Sequence, residues 1–231
     1  MKRRGWKLLI TAGPTREPID PVRFISNYST GTLGYRLAKM ARSRGHQVTL
    51  ISGPTEIPRP AGVVQIPVET AAQMHQAVSK AFPKVDALIM SAAVGDFRPL
   101  RVANQKIKRS GVVGSLRLWQ LELVENPDIV ADAARRRRPT QAIIGFALET
   151  QKLLPNARIK LKSKDLDAIV ATRYFPNARG RGPFGDEPVE GAILKRRGAT
   201  KAFRALKKEA LAARILDCIE EVLEERNSPP R

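Results

Sequence analysis

Along this chain, short apolar and β-branched runs alternate with longer stretches in which apolar positions return every three to four residues. WKLLITAG (6–13), HQVTLISG (46–53), GVVQIPV (62–68) and DALIMSAAV (86–94) are the short runs of the first half. Between them, residues 33–44 place Leu33, Leu37, Met40 and Ala41 on one helical face, with Gly45 as the stop. TAAQMHQAVSKAF (70–82) spaces Met74, Val78 and Phe82 for burial in a second helix. DALIMSAAV is apolar almost throughout, the pattern of a parallel strand covered on both faces. Strand, helix and strand repeated at this spacing predict an α/β fold: a doubly wound, mostly parallel, Rossmann-like sheet with right-handed crossovers.

The pattern changes after Asp96. RPLRVANQKIKRSGVVG (98–114) is long and polar, and predicts an additional loop or flap; LRLWQLEL (116–123) alternates only loosely. ENPDIVADAA then reads as a helix start, with Asn126 as the cap, Pro127 in the first position and Asp128 in the first turn. QAIIGFALE (141–149), DLDAIVAT (165–172) and EGAILKR (190–196) are further strands, the first taken to end near Gly145 with a polar segment, 145–150, beyond it. The Gly- and Pro-rich stretch 173–189 predicts an irregular loop. Residues 201–226 are read as one terminal helix with Phe203, Leu206, Ile215, Ile219, Val222 and Leu223 inward. With no repeat and no clear linker, 1–231 is expected to form a single domain.

Composition narrows the chemistry. A single cysteine, Cys218 at core spacing, excludes a disulfide framework and a cysteine-rich zinc cluster, and fits a reducing cytoplasm. Two histidines leave little for a histidine metal site. MKRRGWKLLITAG has a basic head but only a short apolar run, so it reads as a first strand rather than a signal peptide, and no run approaches membrane-spanning length. The net charge of +19 favours anionic partners. Its clusters, such as Arg135 to Arg138 and Lys195 to Arg197, lack interleaved aromatics, so most of it is read as solvated surface giving weak, salt-sensitive nucleic-acid binding.

Ligands of an open α/β sheet gather beyond the carboxyl ends of its strands. There, Asn27 to Gly34 precedes a helix: Gly31 and Gly34 permit close backbone approach, and Ser29, Thr30 and free N–H groups suit phosphate oxygens. Asp96 follows SAAVG at a strand end, where a carboxylate meets a ribose hydroxyl or magnesium or else caps a loop. Lys106 and Lys108 flank Ile107, so in an extended loop both ammoniums share one side. Glu149 is a second acidic ligand or a structural partner. No Ser-His-Asp or Cys-His arrangement is present. The residues by themselves therefore give a nucleotide- or phosphate-binding α/β protein. A nicotinamide oxidoreductase would need a glycine-rich turn directly after strand one and an acidic residue closing strand two; the chain has PTREP and SGPT instead.

ITAGPTREPIDPVRFISNYSTGTLG (10–34) closely resembles the opening of phosphopantothenoylcysteine synthetase, the synthetase half of the bifunctional coenzyme A biosynthesis flavoprotein family. The likeness continues through VTLISGPT, SAAVGDFRP, KIKR, ENPDIV, GFALET and KLKSKDLDAIVAT in family order. It implies a ligase that joins 4′-phosphopantothenate to L-cysteine through an acyl-cytidylate, with CTP as cosubstrate, Mg2+ as cofactor and CMP and pyrophosphate as products. By the same resemblance Lys106 serves the activation half-reaction and Asn27 the conversion of the acyl intermediate. Gly13, Ser29, Thr30, Gly31, Ala92, Ala93, Asp96, Lys108, Phe146, Lys160 and Lys164 belong to the nucleotide site. The metal ligands are not identified. A homodimer is implied, with loops of one subunit closing the neighbour's site. The flavin-binding half is outside the resemblance, so no FMN is expected. Thr32, Gly95 and Thr172 depart from the family pattern and bear on base preference and affinity. The alternative is a nucleic-acid-binding or otherwise non-catalytic protein on the same fold.

Overall fold

A computed structural model of the chain describes residues 5–108, 119–175 and 184–228. Its centre is an eight-stranded sheet. Strands β1 (Lys7–Ala12), β4 (Gln47–Ser52), β5 (Val64–Pro67), β6 (Ala87–Met90), β9 (Ala142–Glu149) and β10 (Ala168–Arg173) are parallel, in the spatial order β5-β4-β1-β6-β9-β10. β11 (Val189–Lys195) and β12 (Lys201–Leu206) extend the sheet antiparallel beyond β10, and β2 (Glu17–Pro18) pairs with β3 (Phe24–Ile25) outside it. The parallel six follow the 3-2-1-4-5-6 order of a dinucleotide-type sheet, so the doubly wound expectation holds. The direction of winding reverses between β1 and β6.

Alternation along each strand sends side chains to two cores. Leu8, Ile10, Leu50, Ile89, Ile144 and Val170 face α1 (Thr32–Ser43) and α5 (Lys208–Asn227). Leu9, Ile51, Leu88, Ile143 and Ile169 face α2 (Ala71–Ala81), α3 (Ile129–Arg136) and α4 (Leu153–Ser163). Gly34 lets α1 lie directly on β1: a Cβ there would come within 2.5 Å of the Ala12 Cβ and 3.0 Å of the Thr11 carbonyl oxygen. Leu37, Met74 and Val78 are buried as their spacing predicts, and Phe82 is buried in the short 3-10 turn after α2. No helix among the described residues is long and apolar enough to cross a membrane.

Four local expectations are corrected. Residues 201–206 form β12 rather than the start of the last helix, because KAFRAL pairs with β11 and buries Phe203, and Ala205 takes φ 45, which no helix admits. Asp128, not Asn126, caps α3: its carboxylate accepts from the Ala131 N–H at 3.1 Å. β9 runs on through Gly145 to Glu149, since β10 pairs with it along that length. Within the polar connection, β7 (Phe97–Pro99) pairs antiparallel with β8 (Leu123–Glu125), each short and partly exposed, so LRLWQLEL contributes only Leu123 to a strand over its described part. The loop expected over 173–189 lies partly outside the described residues.

Many basic residues are in ion pairs. Arg137 meets Asp165 and Asp167, Arg226 meets Asp167, Lys195 meets Glu221 and Glu225, and Arg44 meets Asp217 and Glu220. Burial pushes the Cys218 thiol up to about 11, so it behaves as a core side chain and not as a nucleophile.

Candidate functional site

The loops that leave β1 and β6 meet where the sheet reverses direction. Gly13 O accepts from Ala93 N at 2.9 Å, Thr15 N donates to Ala93 O at 3.1 Å, and Thr15 Oγ1 accepts from Gly95 N at 2.9 Å. Asn27 joins this junction from the α1 side. Its Nδ2 donates to Ala93 O at 2.8 Å and its Oδ1 accepts from Ser29 N at 3.0 Å, which fixes the amide orientation. Gly31 is the residue before α1, at φ 79, with its α-carbon side pressed on Gly13. Asn27, Ala93, Gly13 and Gly31 thus form one continuous lip beside the start of a helix, where free N–H groups attract anions.

Beyond that lip opens a cleft of about 430 Å³. Ala92, Val94 and Asp96 come from the loop after β6, Phe146 from β9, and Lys160 and Lys164 from the end of α4. The α3 approach, Glu125 to Val130, closes the far wall. Asn126 is the brace: its Nδ2 donates to Gly95 O at 2.9 Å, its N–H to Asp96 O at 2.8 Å, and its Oδ1 accepts from Arg98 at 3.1 Å. Lys164 pairs with Asp128 at 2.8 Å, and that lysine, with the cap hydrogen bond, holds the Asp128 carboxyl below its ordinary value against the opposing effect of burial. Burial lowers the Lys160 pKa first, and the neighbouring Lys164 charge lowers it further, while Asp96, Glu149 and Asp128 oppose. Two lysines around an aromatic ring, with the Asp96, Glu125 and Asp128 carboxylates also in the lining, suit a phosphorylated ligand carrying a planar base.

The expected site residues divide between these two places and a third. Ala92, Asp96, Phe146, Lys160 and Lys164 line the cleft. Gly13, Asn27, Ser29, Thr30, Gly31 and Ala93 build the lip. Lys106 and Lys108 lie in neither: both are exposed, on a loop whose Ile107 N–H donates to Asp20 at 3.2 Å and whose Ile107 carbonyl accepts from Arg23 at 3.0 Å. Arg109 lies outside the described residues. The Arg23 guanidinium, 3.0 Å away through Nε, holds the Asp20 carboxyl well below the usual carboxylate range, helped by N–H groups of Val22, Ile107 and Arg23. Glu149 accepts from Asn156 Nδ2 at 2.8 Å, which is the structural role of its two readings.

A family model for the C-terminal domain of DNA/pantothenate metabolism flavoproteins matches residues 3–223. The chain belongs to this family. The coenzyme A biosynthesis bifunctional protein CoaBC of Mycobacterium bovis is 45% identical over 226 residues, covering 93% of this chain and 52% of that protein. CoaBC of Vibrio cholerae is 42% identical over 217 residues, covering 94% and 53%. The chain therefore spans about half the length of the curated relatives it matches. A crystal structure of the C-terminal domain of a CoaBC protein superposes with a TM-score of 0.78 at 34% identity, covering 97% of this chain and 98% of that one. The fold is also that of the DNA/pantothenate metabolism flavoprotein from Streptococcus pneumoniae, with a TM-score of 0.74 at 22% identity, over 94% and 100% of the two chains. The resemblance read from the motifs, to the synthetase half of the bifunctional proteins, is borne out.

Within this family domain, Glu125, Asn126 and Asp128 form a wall of the cleft that the sequence reading does not include among the site residues. The ENPDIV motif carries the signal, but its pattern reads first as a helix start. Asn126 and Asp128 do start the helix, and in the same place they brace the cleft and pair its lysine.

Proposed function

We propose that this domain is a CTP-dependent phosphopantothenate–cysteine ligase, acting through an acyl-cytidylate and releasing CMP and pyrophosphate in coenzyme A biosynthesis. The observation that carries the reading is the junction of lip and cleft: the Asn27 amide sits on Ala93 O at 2.8 Å, between an anion-attracting helix start and a cleft holding Lys160 and Lys164. A carboxylate resists attack by an amine until it carries a better leaving group. Nucleotidylation supplies one, and it gathers negative charge that the lysines and helix start offset. Phosphates sit on the lip at Ser29, Thr30 and Gly31, the base and ribose at Phe146 and Asp96, and Gly13, Ala92 and Ala93 give close backbone approach. Asn27 then orients the cysteine amine or donates to the developing oxyanion, without competing as a nucleophile.

Magnesium fits this cleft as an ion carried in on phosphates. Asp96 lines the cleft, and no group of three or more His, Cys, Asp or Glu among the described residues could hold an ion alone. Bound there, it would neutralise phosphate charge. Lys106 serves activation and Lys108 stands beside it. Their exposed loop, anchored at Asp20 and Arg23 and not part of this chain's own cleft lining, supports a homodimer in which they reach the neighbour's site. The sheet draws strands from Lys7 to Leu206, which supports reading 1–231 as one unit, and the single cysteine is in keeping with the cytoplasm as its compartment.

Pyrophosphate release in the presence of each nucleoside triphosphate, phosphopantothenate and cysteine tests the proposal. Release with CTP above the other three, dependent on phosphopantothenate, is expected. Release independent of phosphopantothenate contradicts it. The weaker reading, nucleic-acid binding without catalysis, has one observation behind it: a groove along β5 and α2 lined by Lys7, Arg42, Lys80 and Lys84, with no carboxylate in its lining.

A further inference from the structure

We propose that Lys208 is a positioning residue of the anion-binding lip: through Gly185 and Thr30, its ammonium holds the Ser29–Gly31 turn in the geometry that takes nucleotide phosphates. The proposal rests on the synthetase reading of that turn. Lys208 is the first residue of α5 and only 6% exposed. An ammonium this far from water needs partners, and its Nζ donates to the Gly185 carbonyl. The Gly185 N–H in turn donates to Thr30 Oγ1 at 3.2 Å, and the Thr30 and Thr32 hydroxyls lie 2.8 Å apart at the start of α1. Two flanking contacts make this a clasp: the Tyr28 and Phe184 rings are 6.3 Å apart, and Arg36 pairs with Asp186 at 2.7 Å. Residues 184–186 are therefore fastened at three points, two on the lip and one on α1, with Lys208 beneath the middle one.

The charges facing Lys208 give the clasp a pH dependence. Burial, the largest effect, brings its pKa down to about 8; Asp186 and Glu187 favour the ammonium, and Arg36 opposes it. Arg36 is itself shared between Asp186 and Glu209, the latter at 3.7 Å. Below pH 8 the charged amine donates to Gly185 and adds positive charge beside the lip. Above pH 8 it loses both its charge and its strongest donor, so nucleotide affinity falls as pH rises.

The test is CTP binding to the full chain by calorimetry from pH 7 to 9.5, where the tail of the terminal phosphate's own titration is common to every variant. Wild-type affinity should drop about tenfold across pH 8, the scale of one hydrogen bond from a charged donor. Lys208→Met should bind about tenfold more weakly at pH 7 and lose that break, and Lys208→Arg should restore pH 7 affinity and stay flat. Asp186→Asn should move the break to lower pH, because it removes a carboxylate that favours the ammonium. The Lys160 pKa is also lowered, by burial first, so the part of the break assigned to Lys208 is the part these variants remove or shift. Should Lys208→Met fail to fold, Lys208→Arg and Asp186→Asn carry the test. An unaltered pH profile in folded Lys208 variants overturns the proposal. A folded wild type that binds no CTP at pH 7 contradicts the synthetase reading instead, and the same series with inorganic pyrophosphate then decides the clasp: a break removed by Lys208→Met supports it, while no binding or an unchanged break overturns it.

Discussion

Replacing Gly31 by Ala perturbs the lip where helix α1 meets the strand loops, at the place the account needs to be rigid. Gly31 has φ 79, and a Cβ there would lie 3.2 Å from both Cα and N of Gly13, backbone atoms that cannot rotate away. A left-handed non-glycine residue costs about 1–2 kcal/mol. Overpacking a close contact costs about 1–3 kcal/mol more. We therefore expect a total of about 2–4 kcal/mol, since the lip can shift to relieve part of the contact, and a melting temperature lowered by roughly 5–15 °C for a chain of this size. Gly45→Ala is the control: φ there is 91, with open space around the added methyl, so only the conformational cost of about 1–2 kcal/mol applies. Thermal melts and CTP-dependent steady-state kinetics read the pair. Gly31→Ala should raise the KM for CTP about tenfold or more, because small misplacements of binding groups are costly, while Gly45→Ala should lose stability and keep its KM. If Gly31→Ala kept wild-type stability and KM, or if both variants lost KM alike, the reasoning from the lip would be refuted.

The family resemblance and the structure carry further expectations. Lys106→Ala should lose pyrophosphate release, whereas Asn27→Asp should release pyrophosphate and accumulate the acyl-nucleotide; trapped intermediate with Lys106→Ala and none with Asn27→Asp would reverse the assignment. The Asp20 carboxyl, with its folded pKa far below the ordinary value, contributes stability that is present above the unfolded pKa of about 3.9 and lost as pH falls through the folded value. Asp20→Asn should therefore lower the urea midpoint at pH 6, with the difference from wild type narrowing in strong acid; a constant difference from pH 6 to pH 2 would argue against the ion pair. Random RNA or DNA should be released at about 0.15 M salt, and Lys80→Glu with Lys84→Glu should weaken low-salt binding; micromolar affinity at that salt, undisplaced by excess CTP, would establish a second activity.

The parallel core of the fold was legible because β1, β4, β6, β9 and β10 are apolar runs separated by helical periods, and both faces of each are covered. What escaped was held by pairing rather than pattern. Residues 201–206 carry too few apolar positions to separate a strand period from a helix period, and only the β11 partner makes them a strand. The β7–β8 hairpin has three residues in each arm and leaves Phe97 and Leu123 about half exposed, so no alternation announces it. Asn126 is displaced from the cap position because its amide is taken by Gly95, a contact 31 residues away in sequence. The site showed the same division. The glycine and lysine positions came from motifs, whereas their separation into a lip, a cleft and an exposed Lys106 loop needed three dimensions.

The most direct test of the central claim is a single-turnover experiment with cysteine withheld. The enzyme in excess, given CTP, magnesium and phosphopantothenate, should release pyrophosphate stoichiometrically with an acyl-cytidylate detected by mass spectrometry. Adding cysteine should then convert that species into phosphopantothenoylcysteine and CMP in equal amounts. Product formed with no cytidylate ever populated, and with the CTP cleaved to CDP and phosphate, would contradict the account.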